Sequence, residues 1–292
     1  MDRTDVGRSR ELAVSGHVNV DRFLDLPAFP AHDRTVPVLR QRVVLGGTAG
    51  NIARAAAHRG VRTGLIARIG AGFPPEFRQR LRRDGIDLRG LIDLPHEPTP
   101  TAYILQDPGH RQRTLMEQGA MRDGLPDRPA GRAWLREYAW LHLTTGPPDL
   151  QLSLLDFARR HGLRVAADPA QEVHYRWDRD RLRRLMSGSE ILFGNRSEIA
   201  RIAGRLGVRR VERLVDRVPL VVRTEGPDGA TAFSRTGTVH VPSPTARRVA
   251  TVVGAGDSFR GGFYAAWFRG EPLDRCLKSG ANAAVRSIEG AT

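Results

Sequence analysis

The sequence is nearly devoid of lysine. Among 46 basic residues the only lysine is Lys278, and all the rest are arginine. This excludes several chemistries. There is no Gly-x-x-x-x-Gly-Lys-Ser/Thr phosphate loop and no strand Val-Ala-Ile-Lys to grip a nucleotide. A Schiff-base enzyme would have to use Lys278, which sits in a plain Cys-Leu-Lys-Ser-Gly context. Any handling of phosphate must therefore rest on backbone amides, arginine and metal.

Other absences narrow the class further. The single Cys276 cannot form an internal disulfide, which fits a reducing cytoplasm. No apolar run approaches the ~20 residues of a membrane helix. Residues 1–10 are charged, have no apolar segment behind them, and read as a flexible tail rather than a secretory signal. Aromatics make up only 6%, and no nucleic-acid motif accompanies the net charge of +14. The arginines are dispersed and interleaved with acids, as in Asp178-Arg179-Asp180-Arg181. We read them as solvated faces, with neither nucleic acid nor membrane as a partner.

The 292 residues suffice for one large domain. Runs rich in β-branched residues alternate with helical patterns. Strands are expected at 12–20, 63–69, 103–106, 113–116, 140–143, 164–167, 191–193 and 220–223, with a hairpin near 230–233 and 238–241. Helices are expected at 49–59, 75–83, 149–161, 179–186, 197–203, 208–215, 257–269 and 273–287. Strands separated by helices of about ten residues imply βαβ units and a mainly parallel sheet. The expected fold is α/β: a Rossmann-like, doubly wound core with a small β excursion at roughly 23–44 and 101–116. In such sheets ligands sit beyond the carboxyl ends of the strands.

Five constellations fall at such places. In Gly254-Ala255-Gly256-Asp257 three residues with almost no side chain precede a helix, whose first amides can bind an anion. A carboxylate there repels phosphate, so Asp257 makes sense as the acceptor of a proton from an attacking nucleophile; the alternative is a plain helix cap. Gly46-Gly47 allows close backbone approach before a helix carrying Asn51, which offers both donor and acceptor or else faces solvent. Asn19 and Asp21 share a strand face past the first strand, where a carboxylate can hold a pair of hydroxyls. Asn195 and Glu198 have capping-box spacing, and can instead order magnesium waters at the sheet's mouth. Thr224, Gly226 and Gly229 form a glycine turn after a strand.

In this order the motifs resemble the ribokinase (PfkB) family of ATP-dependent sugar and nucleoside kinases, from Gly16 to Ala291. The resemblance implies a ribokinase-like fold with a β-sheet lid, often dimeric through that lid. It implies ATP as phosphoryl donor with Mg²⁺, Asp257 as the base, and Gly254, Ala255 and Gly256 as an anion hole. It further implies Asn19, Asp21, Gly46, Gly47 and Asn51 on the acceptor's hydroxyls, and Asn195 and Glu198 on the magnesium–phosphate side. Thr224, Gly226, Gly229 and Asn282 would flank ATP. Gly47-Thr48-Ala49-Gly50-Asn51, Gln118-Gly119-Ala120-Met121, Ala167-Asp168-Pro169-Ala170-Gln171 and Ser258-Phe259-Arg260-Gly261-Gly262 resemble the nucleoside-kinase branch. The expected acceptor is thus the 5′-hydroxyl of adenosine, guanosine or inosine; alternatives are a sugar or a non-catalytic binding role. Thr251-Val252-Val253 departs from the family's usual Asp-Thr-Thr, part of a potassium site in many members.

Overall fold

The computed structural model describes residues 8–109, 111–125, 131–250 and 252–290. Thr251, residues 1–7 of the expected tail and the terminal Ala291 lie outside the described residues. Arg8 and Arg10 are well tied down: Arg8 donates to the Tyr138 and His161 carbonyls, each at 2.6 Å, and Arg10 opens the first strand.

In chain order the strands and helices begin with β1 (Arg10–Ser15), β2 (Asn19–Asp25), β3 (Arg40–Gly46), α1 (Thr48–Ala57), β4 (Thr63–Ala71), α2 (Pro75–Arg83) and β5 (Asp87–Pro98). Next come β6 (Thr101–Gln106), β7 (Gln112–Glu117), β8 (Tyr138–Leu143), α3 (Pro148–Arg160), β9 (Arg164–Ala167), α4 (Arg179–Ser187), β10 (Ile191–Asn195) and α5 (Arg196–Leu206). The chain closes with β11 (Leu220–Thr224), β12 (Ala230–Ser234), β13 (Gly237–Val241), α6 (Ala255–Phe268) and α7 (Leu273–Ile288).

Nine strands form the main sheet in the order β13-β12-β11-β10-β9-β8-β1-β4-β5. Every pair from β11 to β5 is parallel; only the β12–β13 hairpin adds antiparallel edges. A parallel sheet needs both faces covered, so its strands read as near-continuous apolar runs. β8 obeys this rule, with all six residues of Tyr-Ala-Trp-Leu-His-Leu buried. One apolar core packs α1, α6 and α7 on one face, with Ile52, Phe263 and Leu277 at its centre. The other packs α3, α4 and α5 on the opposite face through Leu154, Leu182 and Ile202. No described helix is long and apolar enough to cross a membrane.

A separate sheet, β3-β2-β6-β7, forms the lid. Here the structure corrects the sequence reading. The expected strand at 12–20 is two strands in two sheets, so the lid starts at Asn19 rather than residue 23 and Asp21 is a lid residue. Residues 12–20 are buried continuously through the break, so no change of pattern marks it. The helix expected at 208–215 is a 3-10 turn, Val211–Asp216, with Leu214 its one buried residue. Strand β5 escapes a periodicity search: it is an edge strand with exposed charges, Pro95 and Pro98.

Candidate active site

Connections from β1 run to β4 and β5 on one side, while β8 to β11 build outward on the other. The strand order therefore reverses between β1 and β8, and a crevice opens at their carboxyl ends. The loop after each strand meets there: Thr144 N–H donates to the Ser15 carbonyl at 2.9 Å, and His17 N–H to Thr145 Oγ1 at 3.3 Å.

A cavity of about 510 Å³ occupies this crevice beneath the lid. Its walls bring together residues far apart in sequence. Asn19, Asp21, Gly47 and Asn51 line the lid side, Asn195, Glu198, Thr224 and Gly226 the β10–β11 side, and Gly254, Gly256 and Asp257 lie between. Ala102, Ile104 and Met116 of the lid present an apolar wall.

Gly254 caps α6 at φ 79°, a left-handed conformation suited to glycine. Ser258 N–H closes the first turn on the Gly254 carbonyl at 2.9 Å. The amides before it lie at a helix N-terminus, where α-geometry supplies no partner and the dipole favours an anion. Asp257, in that turn, accepts a hydrogen bond from Asn51 Nδ2 at 2.9 Å on Oδ2. Burial pushes its carboxyl up to about 6. Asp21 is 7% exposed and accepts from Asn19 Nδ2. Burial, followed by the charge of Asp257, pushes it up to about 7. Each carboxylate thus sits where its charged form is disfavoured until a ligand or ion arrives.

Gly46 and Gly47 are small for a visible reason. A Cβ at Gly46 would overlap the Asp21 carboxylate, and one at Gly47 the His17 carbonyl. Asn195 and Glu198 form a complete capping box: Asn195 Oδ1 accepts from Glu198 N–H at 3.0 Å, and Glu198 Oε2 from Asn195 N–H at 2.8 Å. Glu198 lines the cavity, with Oε1 outside the capping box and its carboxyl pushed up by burial and by the charge of Asp168.

Four expected residues do not line this cavity. Gly46 backs Asp21, and Ala255 starts α6 behind Gly254. Gly229 closes its turn by accepting from Glu225 N–H at 2.8 Å, its α-carbon pressed against the Val241 carbonyl. Asn282 lies exposed on α7. A neighbouring cavity of about 690 Å³, bounded by Arg54, Arg59 and Arg286, lies between α1 and α7 and does not include Asn282 either. Gly261 and Gly262 are packing residues that let α6 approach Ala55 of α1 and Ser279 of α7.

Sequence reasoning missed an ion-pair cluster behind Asp257. Arg260 donates Nε to Asp168 Oδ2 at 2.6 Å and Nη2 to Asp168 Oδ1 at 3.0 Å. His142 Nε2 is 3.4 Å from the same carboxylate, and His142 Nδ1 is 2.7 Å from Tyr264 Oη. The signal was present: Arg260 is the one basic residue of α6, and a buried arginine needs a buried counter-charge.

The model of the pfkB family carbohydrate kinases matches residues 9–291. The chain belongs to this family. It is a phosphotransferase with an alcohol group as acceptor. Among relatives of this pfkB protein, the nucleoside kinase of Methanothermobacter thermautotrophicus is 33% identical over 286 residues, covering 97% of this chain and 91% of that protein. The cytidine kinase of Thermococcus kodakarensis is 31% identical over 280 residues, with 94% of each chain covered. The crystal structure of Methanocaldococcus jannaschii nucleoside kinase superposes with a TM-score of 0.88 at 25% identity, covering 97% of this chain and 93% of that one.

Proposed function

We propose that this pfkB protein is an ATP-dependent nucleoside kinase that phosphorylates the 5′-hydroxyl of a nucleoside of the adenosine, guanosine or inosine type. The observation that carries the reading is Asp257. It is a half-buried carboxylate in the first turn of a helix whose N-terminus favours an anion, and it is bonded to Asn51 on the acceptor side. Asn19, Asp21, Gly47 and Asn51 hold the ribose hydroxyls, with Gly46 making room for Asp21. Asp257 takes the proton of the 5′-hydroxyl as that oxygen attacks the γ-phosphorus. The bond to the β-bridging oxygen breaks and ADP leaves. The amides of Gly254 and Gly256 stabilise the charge on the transferring group. Thr224 and Gly226 flank the nucleotide, with Gly229 shaping their turn.

Magnesium fits the donor set. Glu198 offers one buried carboxylate oxygen, and no group of three or more metal-binding side chains occurs among the described residues. Mg²⁺ is commonly held by one or two carboxylates plus substrate phosphates rather than by a protein cage. When bound it neutralises charge on the phosphate oxygens. Asn195 supports it by fixing Glu198.

The names of the nucleoside and cytidine kinase relatives support a nucleoside over a sugar. So does the apolar lid wall of Ala102, Ile104 and Met116, which suits the face of a base and has no use against a bare sugar. Incubation with ATP, Mg²⁺ and a panel of nucleosides and sugars tests the reading. ADP should form with nucleosides, whereas turnover with sugars alone would replace it by the sugar-kinase alternative. We also propose a homodimer through the lid, where Leu39 and Leu115 are 63% and 62% exposed. A monomer by light scattering at micromolar concentration would refute it.

A further inference from the structure

The reaction cavity inverts the charge balance of the protein. The chain carries a formal +14. Yet Asp21, Glu172, Glu198 and Asp257 line the cavity, against Arg260 as the one arginine among its described residues. That arginine is 5% exposed and held on three sides. Asp168 takes Nε and Nη2 in a two-pronged pair, and Nη1 donates to the Gly256 carbonyl at 3.0 Å. Gly256 lies in the first turn of α6. A chain of contacts thus runs from Tyr264 through His142, Asp168 and Arg260 to the turn whose amides face the cavity. Packing alone does not call for a guanidinium in this position, since an apolar side chain of similar volume is commonly as stable as a buried ion pair.

We propose that Arg260 is a positioning residue for phosphoryl transfer: anchored by Asp168, it fixes the first turn of α6 through the Gly256 carbonyl and sets a permanent positive charge beside Asp257. The inference rests on the reading of Asp257 as the base. The charged groups facing Asp257 are Asp21 from β2, Asp168 after β9, Glu198 from α5 and Arg260 from α6; Asn51 from α1 adds a neutral donor. Arg260 favours the ionised form of Asp257, while Asp168 and Glu198 oppose it. The two members of the pair therefore act in opposite directions on Asp257, so replacing each should move its acid limb the opposite way.

The test is the pH profile of kcat/KM from pH 5 to 9, with ATP, Mg²⁺ and a nucleoside, for the full chain and its Arg260→Met, Arg260→Lys, Asp168→Asn and Asp257→Asn variants. Arg260→Met should lower kcat about 10²-fold and move the acid limb up by about one pH unit. Arg260→Lys keeps the charge but cannot span both Asp168 oxygens and the Gly256 carbonyl. Its acid limb should stay in place while kcat falls about tenfold. Asp168→Asn should lower kcat and move the limb down. If Arg260→Met does not fold, the stationary limb of Arg260→Lys and the falling limb of Asp168→Asn carry the proposal. An unmoved limb in Asp168→Asn, or kcat within twofold of wild type in Arg260→Met, overturns it. Near-normal turnover in Asp257→Asn would instead overturn the assignment of the base, a separate failure.

Discussion

Asn51 and Asp257 lie 206 positions apart and meet at 2.9 Å, Nδ2 of the amide donating to Oδ2 of the carboxylate. The bond joins the start of α1 to the start of α6 and lowers the proton affinity that burial raises on Asp257. Replacing Asn51 by leucine removes the donor at similar volume. The acid limb of kcat/KM should then move to higher pH, and nucleoside KM should rise about tenfold, a loss typical of a hydrogen bond to a charged group. Steady-state kinetics across pH measures both.

Asp257→Asn keeps the shape of the site and removes the base. Turnover should fall by about 10²–10⁴, with ATP binding by calorimetry retained. A near-normal kcat would remove Asp257 from the chemistry.

The wild-type pH profile should carry the mark of a half-buried carboxylate base. Asp257 works only when ionised and its carboxyl sits at about 6. Activity should therefore be full at pH 8 and fall through an acid limb near pH 6, well above the usual aspartate range. An acid limb below pH 4.5 would contradict this.

Asp21 should cost stability where it serves function. Its carboxyl is raised from 3.8 to about 7 in the folded protein. Between those values the folded chain holds a proton that the unfolded chain has released, so stability declines as pH rises through the window and the full cost applies above it. Asp21→Asn should raise the ligand-free Tm at pH 8, leave it nearly unchanged at pH 4, and abolish nucleoside affinity. Thermal scans at the two pH values check the sign.

Gly46→Ala should act on the acceptor alone. The added methyl would displace the Asp21 carboxylate. Nucleoside KM should rise by an order of magnitude or more while ATP KM stays put. Equal effects on both substrates would mean that Gly46 shapes more than the acceptor side.

The five motifs were legible because each is local. A glycine turn before a helix, a carboxylate after a strand and an Asn-x-x-Glu cap are set by neighbours within one turn of chain. The alternating strands and helices were legible because period and burial go together in a two-layered sheet. The break at Gly16 was hidden, since residues 12–21 are buried without interruption on both sides of it. Arg260 was read only as part of a family resemblance, because its partner Asp168 is 92 positions away.

By itself the sequence determined that phosphate must be met without lysine, and supplied the glycine-opened helix start that can do so. Backbone amides need only a helix terminus, and a terminus is written locally. Only the tertiary structure decided where charge lies. It spent most of the arginines on surfaces and ion pairs, left the reaction cavity acidic, and placed a single arginine among its described residues. That distribution depends on which strands adjoin, because a buried charge is tolerated only where the fold brings its counter-charge within hydrogen-bonding reach.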